Sequence, residues 1–482
     1  MRNNNIKIAL CAFNEEDLGI RQISSYLKIK GFTVEFVALS EENINYSKFT
    51  DFDIIGLSFI TDNFVKAKNF SNKIKYERKQ HIKPIIIFGG VHATIRPREC
   101  LDYCDYVVRG EGEEAMLEIC SDIAHIESKH NISLLKNGVL INNPLKKLET
   151  NLDKYPFPDF SAYSSNLKKY NIMTSRGCPF NCTYCYNNYL RKLYVGENKF
   201  VRKKSMSYIL EELKLAKMKF KKLKEIRFYD DNLLMRDVKE LRAFFKEYKK
   251  HINLPFYCLG NPNDINEEKL RILKDAGLNI MQIGMQTGSE EVNFTIYKRP
   301  TPNKKILECL RLFRKYEITN YLDLIFNNPY ETKEDLRKTL TFLLTLPKTF
   351  KLNGYNLIFY PGTEITDKAL HDGHISPLID ETSSKIQGDA NSPTTSFDNT
   401  LDNPLWKINF SSEDKDKLNT LIVAINYLPA FLVRSLVVLP LNKRFIVLFI
   451  RLFTKIKSTL RTKKADNVQR VGQRGVKSTF GV

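Results

Sequence analysis

Cys178, Cys182 and Cys185 are the residues whose types and spacing most directly imply chemistry. They stand four and three positions apart in Cys178-Pro179-Phe180-Asn181-Cys182-Thr183-Tyr184-Cys185, just after the run Ile172-Met173-Thr174-Ser175-Arg176-Gly177. Three thiols crowded on one loop pack poorly in a core, but one turning backbone can point three sulfurs at one metal centre. Iron–sulfur clusters are held by thiolates, normally four for a four-iron cluster. A local set of three would leave one iron without a protein ligand, and an open position marks a reactive site where a closed shell marks a structural one. A zinc site with a distant fourth ligand is the alternative reading, and chance clustering among 9 cysteines is the blandest.

The elements around this loop read as alternating strands and helices. In the first 150 residues, strand-like runs fall at 6–12, 33–39, 53–60, 84–88 and 105–108, with helices fitting 18–30, 63–79 and 113–126. That alternation predicts a doubly wound parallel sheet, flavodoxin-like or Rossmann-like, whose ligand lies beyond the carboxyl ends of the strands. Gly89-Gly90 at one strand end permits close approach of a bulky ligand to the backbone, or merely makes the turn. Residues 127–170 read as a linker, closing on the extended segment Tyr155-Pro156-Phe157-Pro158-Asp159-Phe160. From about 171 to 365 six further strands are expected: near 171–175, then 226–229, 254–259, 279–285, 321–326 and 356–359. Helices fit between them, among them 206–219, 267–276 and 333–346. Polar and Gly-rich residues gather at the carboxyl ends of these strands, where parallel barrels place active sites.

Arg176-Gly177-Cys178 and Cys182-Thr183-Tyr184-Cys185 resemble the cluster loop of the radical S-adenosylmethionine (SAM) enzymes. Gly89-Gly90-Val91-His92-Ala93-Thr94 and Val107-Val108-Arg109-Gly110-Glu111-Gly112-Glu113-Glu114 resemble the cobalamin-binding domain that precedes the radical SAM core in one large subfamily, the class B methyltransferases. The resemblance spans about residues 1 to 365. It implies a cobalamin-binding-like domain at 1–150 with a linker to about 170 and a partial six-unit barrel at 171–365; residues 366–482, beyond it, read from their own pattern as a helical region. It implies a 4Fe–4S cluster on Cys178, Cys182 and Cys185, with Tyr184 against the SAM adenine. No catalytic residue is assigned beyond these three. Gly284-Met285-Gln286-Thr287-Gly288-Ser289-Glu290 resembles the segment that meets SAM, with Gln286 and Ser289 as candidates. An amide and a hydroxyl can bind ribose hydroxyls and an ammonium without adding charge. Ser289 before Glu290 and Glu291 also reads as a helix N-cap. Asp230 and Asp231 are candidates for substrate, cobalamin or SAM, and Asp323 and Glu331 are weaker ones. Gly89, Gly90 and His92 are the cobalamin candidates, although His92 also reads as a loop or capping residue. The loop Asn14 to Ile20 contains no histidine, so cobalamin would have no histidine ligand from there.

The implied activity is reductive cleavage of SAM and modification of an unactivated carbon. Cobalamin-dependent methyl transfer to a small lipid-like or natural-product substrate leads, with electrons from a flavodoxin or ferredoxin. Cyclisation or oxidation on the same cofactors is an alternative. A tRNA methylthiotransferase is another, but Cys11, Cys100, Cys104 and Cys120 do not match its second cysteine set and no RNA-binding module stands out. An electron-carrying or scaffold iron–sulfur protein would leave the Gln286–Glu290 loop without a function. No Ser-His-Asp constellation or phosphate loop stands out. The scattered remaining cysteines and the odd total argue against a disulfide framework and for a reducing cytoplasm. Met1-Arg2-Asn3-Asn4-Asn5 leads straight into a strand, with no secretory pattern.

The chain of 482 residues carries a formal net charge of +20, which suggests an anionic partner, or only a Lys- and Asn-rich composition. No nucleic acid is expected. Residues 371–403 read as loop and 469–482 as a disordered tail. Between them, 418–464 interleaves apolar runs with Arg434, Lys443, Arg444, Arg451, Lys455, Lys457, Arg461, Lys463 and Lys464. That pattern predicts contact with a membrane surface, placing the protein peripherally at the inner membrane face. A helical cap on the barrel with a solvated basic tail is the competing reading.

Overall fold

The computed structural model describes residues 6–14, 17–39, 44–78, 84–161, 163–196, 199–375, 413–439 and 443–455. Outside the described residues lie Glu15 and Glu16, most of the expected loop 371–403, the tail 469–482, and Lys457, Arg461, Lys463 and Lys464.

Near-continuous apolar runs form the first sheet. Strands β1 (Lys7–Ala12), β2 (Thr33–Ala38), β3 (Ile54–Ser58), β4 (Ile85–Gly89) and β5 (Tyr106–Val108) are parallel in the order β2-β1-β3-β4-β5. Ile8 pairs with both Val34 and Ile54, so the order reverses around β1, as in flavodoxin-like sheets. Both faces are covered, which is why β1 is buried at five successive positions. Ile8, Leu10 and Ile54 pack under the helices Leu18–Ile29 and Glu113–Ser121, while Ala9, Ile55 and Phe88 pack under Phe64–Arg78. Part of the stretch read as linker extends the sheet: β6 (Ile132–Lys136) and β7 (Val139–Asn142) add an antiparallel hairpin. Its turn, Asn137-Gly138, puts both residues at positive φ, the left-handed pair that a two-residue hairpin favours.

The second half builds six parallel strands, β8 (Lys169–Ile172), β11 (Glu225–Phe228), β12 (Phe256–Gly260), β13 (Leu278–Gln286), β14 (Thr319–Phe326) and β15 (Phe350–Asn356), in the order β15-β14-β13-β12-β11-β8. A short antiparallel pair, β9 (Ser175–Arg176) and β10 (Arg202–Lys203), follows β8. β8 and β15 stand at the two ends of this order, as in an open partial barrel. Helices start where capping residues permit: Ser205 accepts from the Tyr208 N–H ahead of Met206–Lys219, and Thr332 with Asp335 forms a capping box ahead of Lys333–Thr345. The last strand departs from expectation. It occupies 350–356 rather than 356–359, because Phe-Lys-Leu-Asn-Gly-Tyr-Asn alternates an apolar outer face with a polar inner one.

The C-terminal helices are part of the barrel. Leu421, Ile422, Val423, Ala424, Ile425 and Leu428 are buried in the same core as Leu352 and Phe350. The apolar stretch 418–433 is therefore largely a structural cap. Asn426 accepts from the Leu352 N–H at 2.7 Å and donates to the Leu352 carbonyl at 2.9 Å, so its amide takes the place of a further strand along the β15 edge. Among the described residues no helix is long and apolar enough to cross a membrane.

Candidate active site

The cysteine loop runs from β9 to the helix Tyr186–Leu193, with Cys185 at its N-cap. Gly177, at φ 82°, has no room for a side chain: a Cβ would come within 2.6 Å of the Phe200 carbonyl. Asp230, at the end of β11, fixes the approach to the loop. Its buried carboxylate accepts from the Thr174 N–H at 3.1 Å and the Thr174 hydroxyl at 2.7 Å, and also from the Ser175 hydroxyl. Asp230 is thus committed to backbone positioning. Asp231 lies among the cysteines, bonded to Asn187, and crowding by protein raises its carboxyl.

Cys182 is buried, while Cys178 and Cys185 keep some accessible surface. Burial pushes the Cys178 thiol up to about 11 and the Cys185 thiol up to about 12. Thiols so raised need a cationic centre to become thiolates, which is what a metal cluster provides. Three thiolates on one loop can each ligate a separate iron of one cluster.

Arg299 was invisible in the sequence. It is buried, reaches the Cys182 Sγ at 3.8 Å across 117 positions, and donates to the Gly284 carbonyl at 2.9 Å. Its buried Nε has no hydrogen-bond partner, so a guanidinium faces the cysteine loop with donor capacity to spare. Gly284 keeps this approach open, since a Cβ there would strike the Gln286 amide and sit 3.2 Å from the guanidinium. Gln286 is held at φ 70° and Asn327 at φ 59°, so strained non-glycine residues end both β13 and β14 at this rim. Ser289 is fully buried, and its hydroxyl donates to Asp335 at 2.7 Å. Tyr184 meets Tyr297 edge-on at 5.0 Å. Glu331 lies beneath, raised to about 7 by burial, with the Thr287 hydroxyl bonded to it.

Beyond the carboxyl ends of the first sheet lies a crevice of about 1170 Å³ of empty space, part of it open to solvent. Gly19, Ser58, Gly89, Gly90 and Gly110 line it from the sheet, and Met173, Ser175, Arg176 and Lys204 from the barrel. Gly90 sits at φ 87°, where a Cβ would meet the Phe59 carbonyl at 2.7 Å. Such glycines leave a floor of backbone against which a large, flat cofactor fits. His92 does not line the crevice. It is stacked on Phe64 at 4.4 Å, its Nδ1 3.2 Å from the Thr61 hydroxyl, and burial lowers it to about 3.

Two carboxylates join the crevice to the cysteine loop. Arg176 and Arg202 are partners across β9 and β10, and Glu111 bonds both, at 3.2 and 2.6 Å. Burial alone would raise Glu111, but the two guanidinium groups override it and hold it below the usual carboxylate range. Glu113 takes a second bond from Arg176.

Inside the barrel the strands present polar and aromatic side chains. Gln282 donates to Asp323 at 2.8 Å and to the Tyr355 hydroxyl at 3.2 Å, and Asn353 donates to Asp323 at 3.0 Å. Tyr257 bonds Gln282 and lies 5.7 Å from the Tyr229 ring. Burial raises the Asp323 carboxyl to about 7 despite those donors.

Residues 172–343 match the Radical SAM superfamily and residues 6–120 match the B12 binding domain. An uncharacterized methyltransferase of Pyrococcus horikoshii is 25% identical over 333 residues, covering 66% of this chain and 70% of its own. The bacteriochlorophyllide d C-8(2)-methyltransferase of Chlorobaculum tepidum is 23% identical over 349 residues, covering 70% and 72%. Among solved structures, the radical SAM methyltransferase TsrM of Kitasatospora setae, with cobalamin and a [4Fe-4S] cluster bound, superposes with a TM-score of 0.64. It is 14% identical and covers 76% of this chain and 78% of its own.

Proposed function

Because this chain is a radical SAM enzyme with an N-terminal cobalamin-binding domain, we propose that it methylates an unactivated carbon of a small molecule. The observation that carries this reading is a shared wall: Ser175 and Arg176, which lead into the cysteine loop, also line the crevice of the first sheet. Two cofactor sites divided by one strand can serve one substrate.

Cys178, Cys182 and Cys185 hold the 4Fe–4S cluster. Tyr184, Gln286 and Arg299 form the SAM side, where Arg299 supplies the buried positive charge that a carboxylate needs, while Ser289, its hydroxyl given to Asp335, holds the segment after Gln286 in place. Gly89 and Gly90 form the floor of the cobalamin crevice. Together these groups, when bound, supply reductive cleavage of SAM and methyl transfer. The protein's own part is orientation and exclusion of water: Asp230 pins the loop approach, and Glu111 holds the crevice and loop in register. Of the two substrate classes, lipid-like and natural product, the barrel interior favours the second. Its tyrosines suit a flat ring, and Asp323 suits a donor such as an amine or N–H group. A flavodoxin- or ferredoxin-type protein supplies electrons, in the cytoplasm, with the exposed part of the 418–464 region against the inner membrane face.

The test is anaerobic reconstitution with iron, sulfide, cobalamin, SAM and a strong reductant. Bound cobalamin with both 5′-deoxyadenosine and S-adenosylhomocysteine is the expected result. Deoxyadenosine alone would replace methylation by cyclisation or oxidation. Neither nucleoside, with iron content unchanged in Cys182→Ala, would end the reading. The methylthiotransferase alternative loses ground because Cys11, Cys100, Cys104 and Cys120 are each buried in the apolar cores of the first sheet.

A further inference from the structure

The last described helix, 443–455, is apolar on two opposite sides. Ile446 and Ile450, one turn apart, are fully buried in the barrel core. Phe445, Leu448, Phe449 and Leu452, spaced i, i+3, i+4 and i+7, face outward and are exposed. The preceding helix, Ala430–Val438, repeats the arrangement. Val433 and Leu436 are buried, while Phe431 is 65% and Val438 82% exposed. Of the 18 exposed large hydrophobic residues in the described chain, eight fall between 431 and 452, so this is one patch rather than background.

Along the chain the patch carries charge of one sign: Arg434, Arg444 and Arg451 lie on these two helices, and no acidic residue occurs between Asp416 and Asp466. Two copies of this chain meeting on the patch would bring like charges together. An anionic lipid surface would pair them and take up the apolar stripe. A helix of 13 residues is about 20 Å long, too short to span a bilayer and suited to lying in its interface.

We infer that the outward face of helix 443–455, with the exposed edge of Ala430–Val438, docks the enzyme on an anionic phospholipid bilayer. This narrows the membrane contact proposed above: residues 421–428 belong to the core and take no part. The docking is independent of the chemistry at the cysteine loop.

The test sediments the full-length protein with vesicles of phosphatidylcholine containing about one third phosphatidylglycerol, and with vesicles of phosphatidylcholine alone. Sedimentation is expected with the first and not the second. Each cation near an anionic surface contributes about fivefold in affinity, so Arg444→Gln with Arg451→Gln lowers binding roughly thirtyfold. Leu448→Gln with Leu452→Gln, both exposed, lowers it at least about tenfold while leaving the thermal melt unchanged. Met218→Gln, at an exposed apolar site on another helix, changes nothing. Equal binding by the parent and both double variants, or no binding by the parent, overturns the inference. So does a concentration-dependent dimer that only the leucine variant abolishes, which would assign the face to a second copy. SAM cleavage in solution reports separately on the functional reading.

Discussion

At the scale of single residues, the cysteine loop was legible because its chemistry is local: three thiol ligands within eight positions need no fold to be recognised. Arg299 was not, because only the folded barrel brings it to Cys182 across 117 positions. Ser289 shows the opposite limit. Its motif was readable, but the structure commits its hydroxyl to Asp335. Asp323 supplies a test at this scale. Its carboxyl, raised to about 7, keeps a proton where the unfolded chain has lost it, near the ordinary aspartate value of about 3.9. Stability contributed by this group is therefore full at low pH, falls as pH rises from roughly 4 to 7, and is level above. Asp323→Asn carries no charge at any pH. Relative to the parent it should gain about 2–3 kcal/mol between pH 5 and 8, read from paired thermal melts. A difference that stays constant across that range would show that the carboxyl is not raised.

At the scale of elements, nearly every strand and helix of both halves was visible as an apolar run or a capped amphipathic segment. The misplaced strand, β15, failed for a physical reason. A strand facing a polar interior reads as half loop, and the apolar Leu357 and Phe359 just beyond it looked more strand-like. The hairpin β6–β7 was lost in a stretch read as linker, although Asn137-Gly138 was its signal. The edge of β15 gives the second prediction. Asn426→Ala would leave the Leu352 N–H and carbonyl without their partners, at a cost of about 2 kcal/mol. Chemical denaturation should show it, and a loss below about 0.5 kcal/mol would mean that water replaces the amide freely.

At the scale of the whole molecule, the two halves are joined through Glu111, which bonds two arginines that the β9–β10 pair sets side by side. Removing it leaves two partly buried cations with Glu113 alone. Glu111→Ala should cost about 3 kcal/mol, whereas Glu35→Ala, which breaks the exposed pair with Lys48, should cost under about 1 kcal/mol. Comparable shifts in melting temperature for the two variants would deny Glu111 its joining role.

The cover that Asn426 gives to β15 has a consequence for the gene as much as for the protein. Every residue assigned to cofactor or substrate is encoded before codon 376, yet the amide that closes the barrel edge arrives some fifty codons later. A premature stop in that interval would yield a product with its chemistry spelled out in full, an open strand edge, and no Leu421–Leu428 to fill the core above it. Such an allele should behave as a null through aggregation rather than through lost catalysis, and ribosomes would hold an unfinished barrel until the codons for Leu421–Leu428 are read.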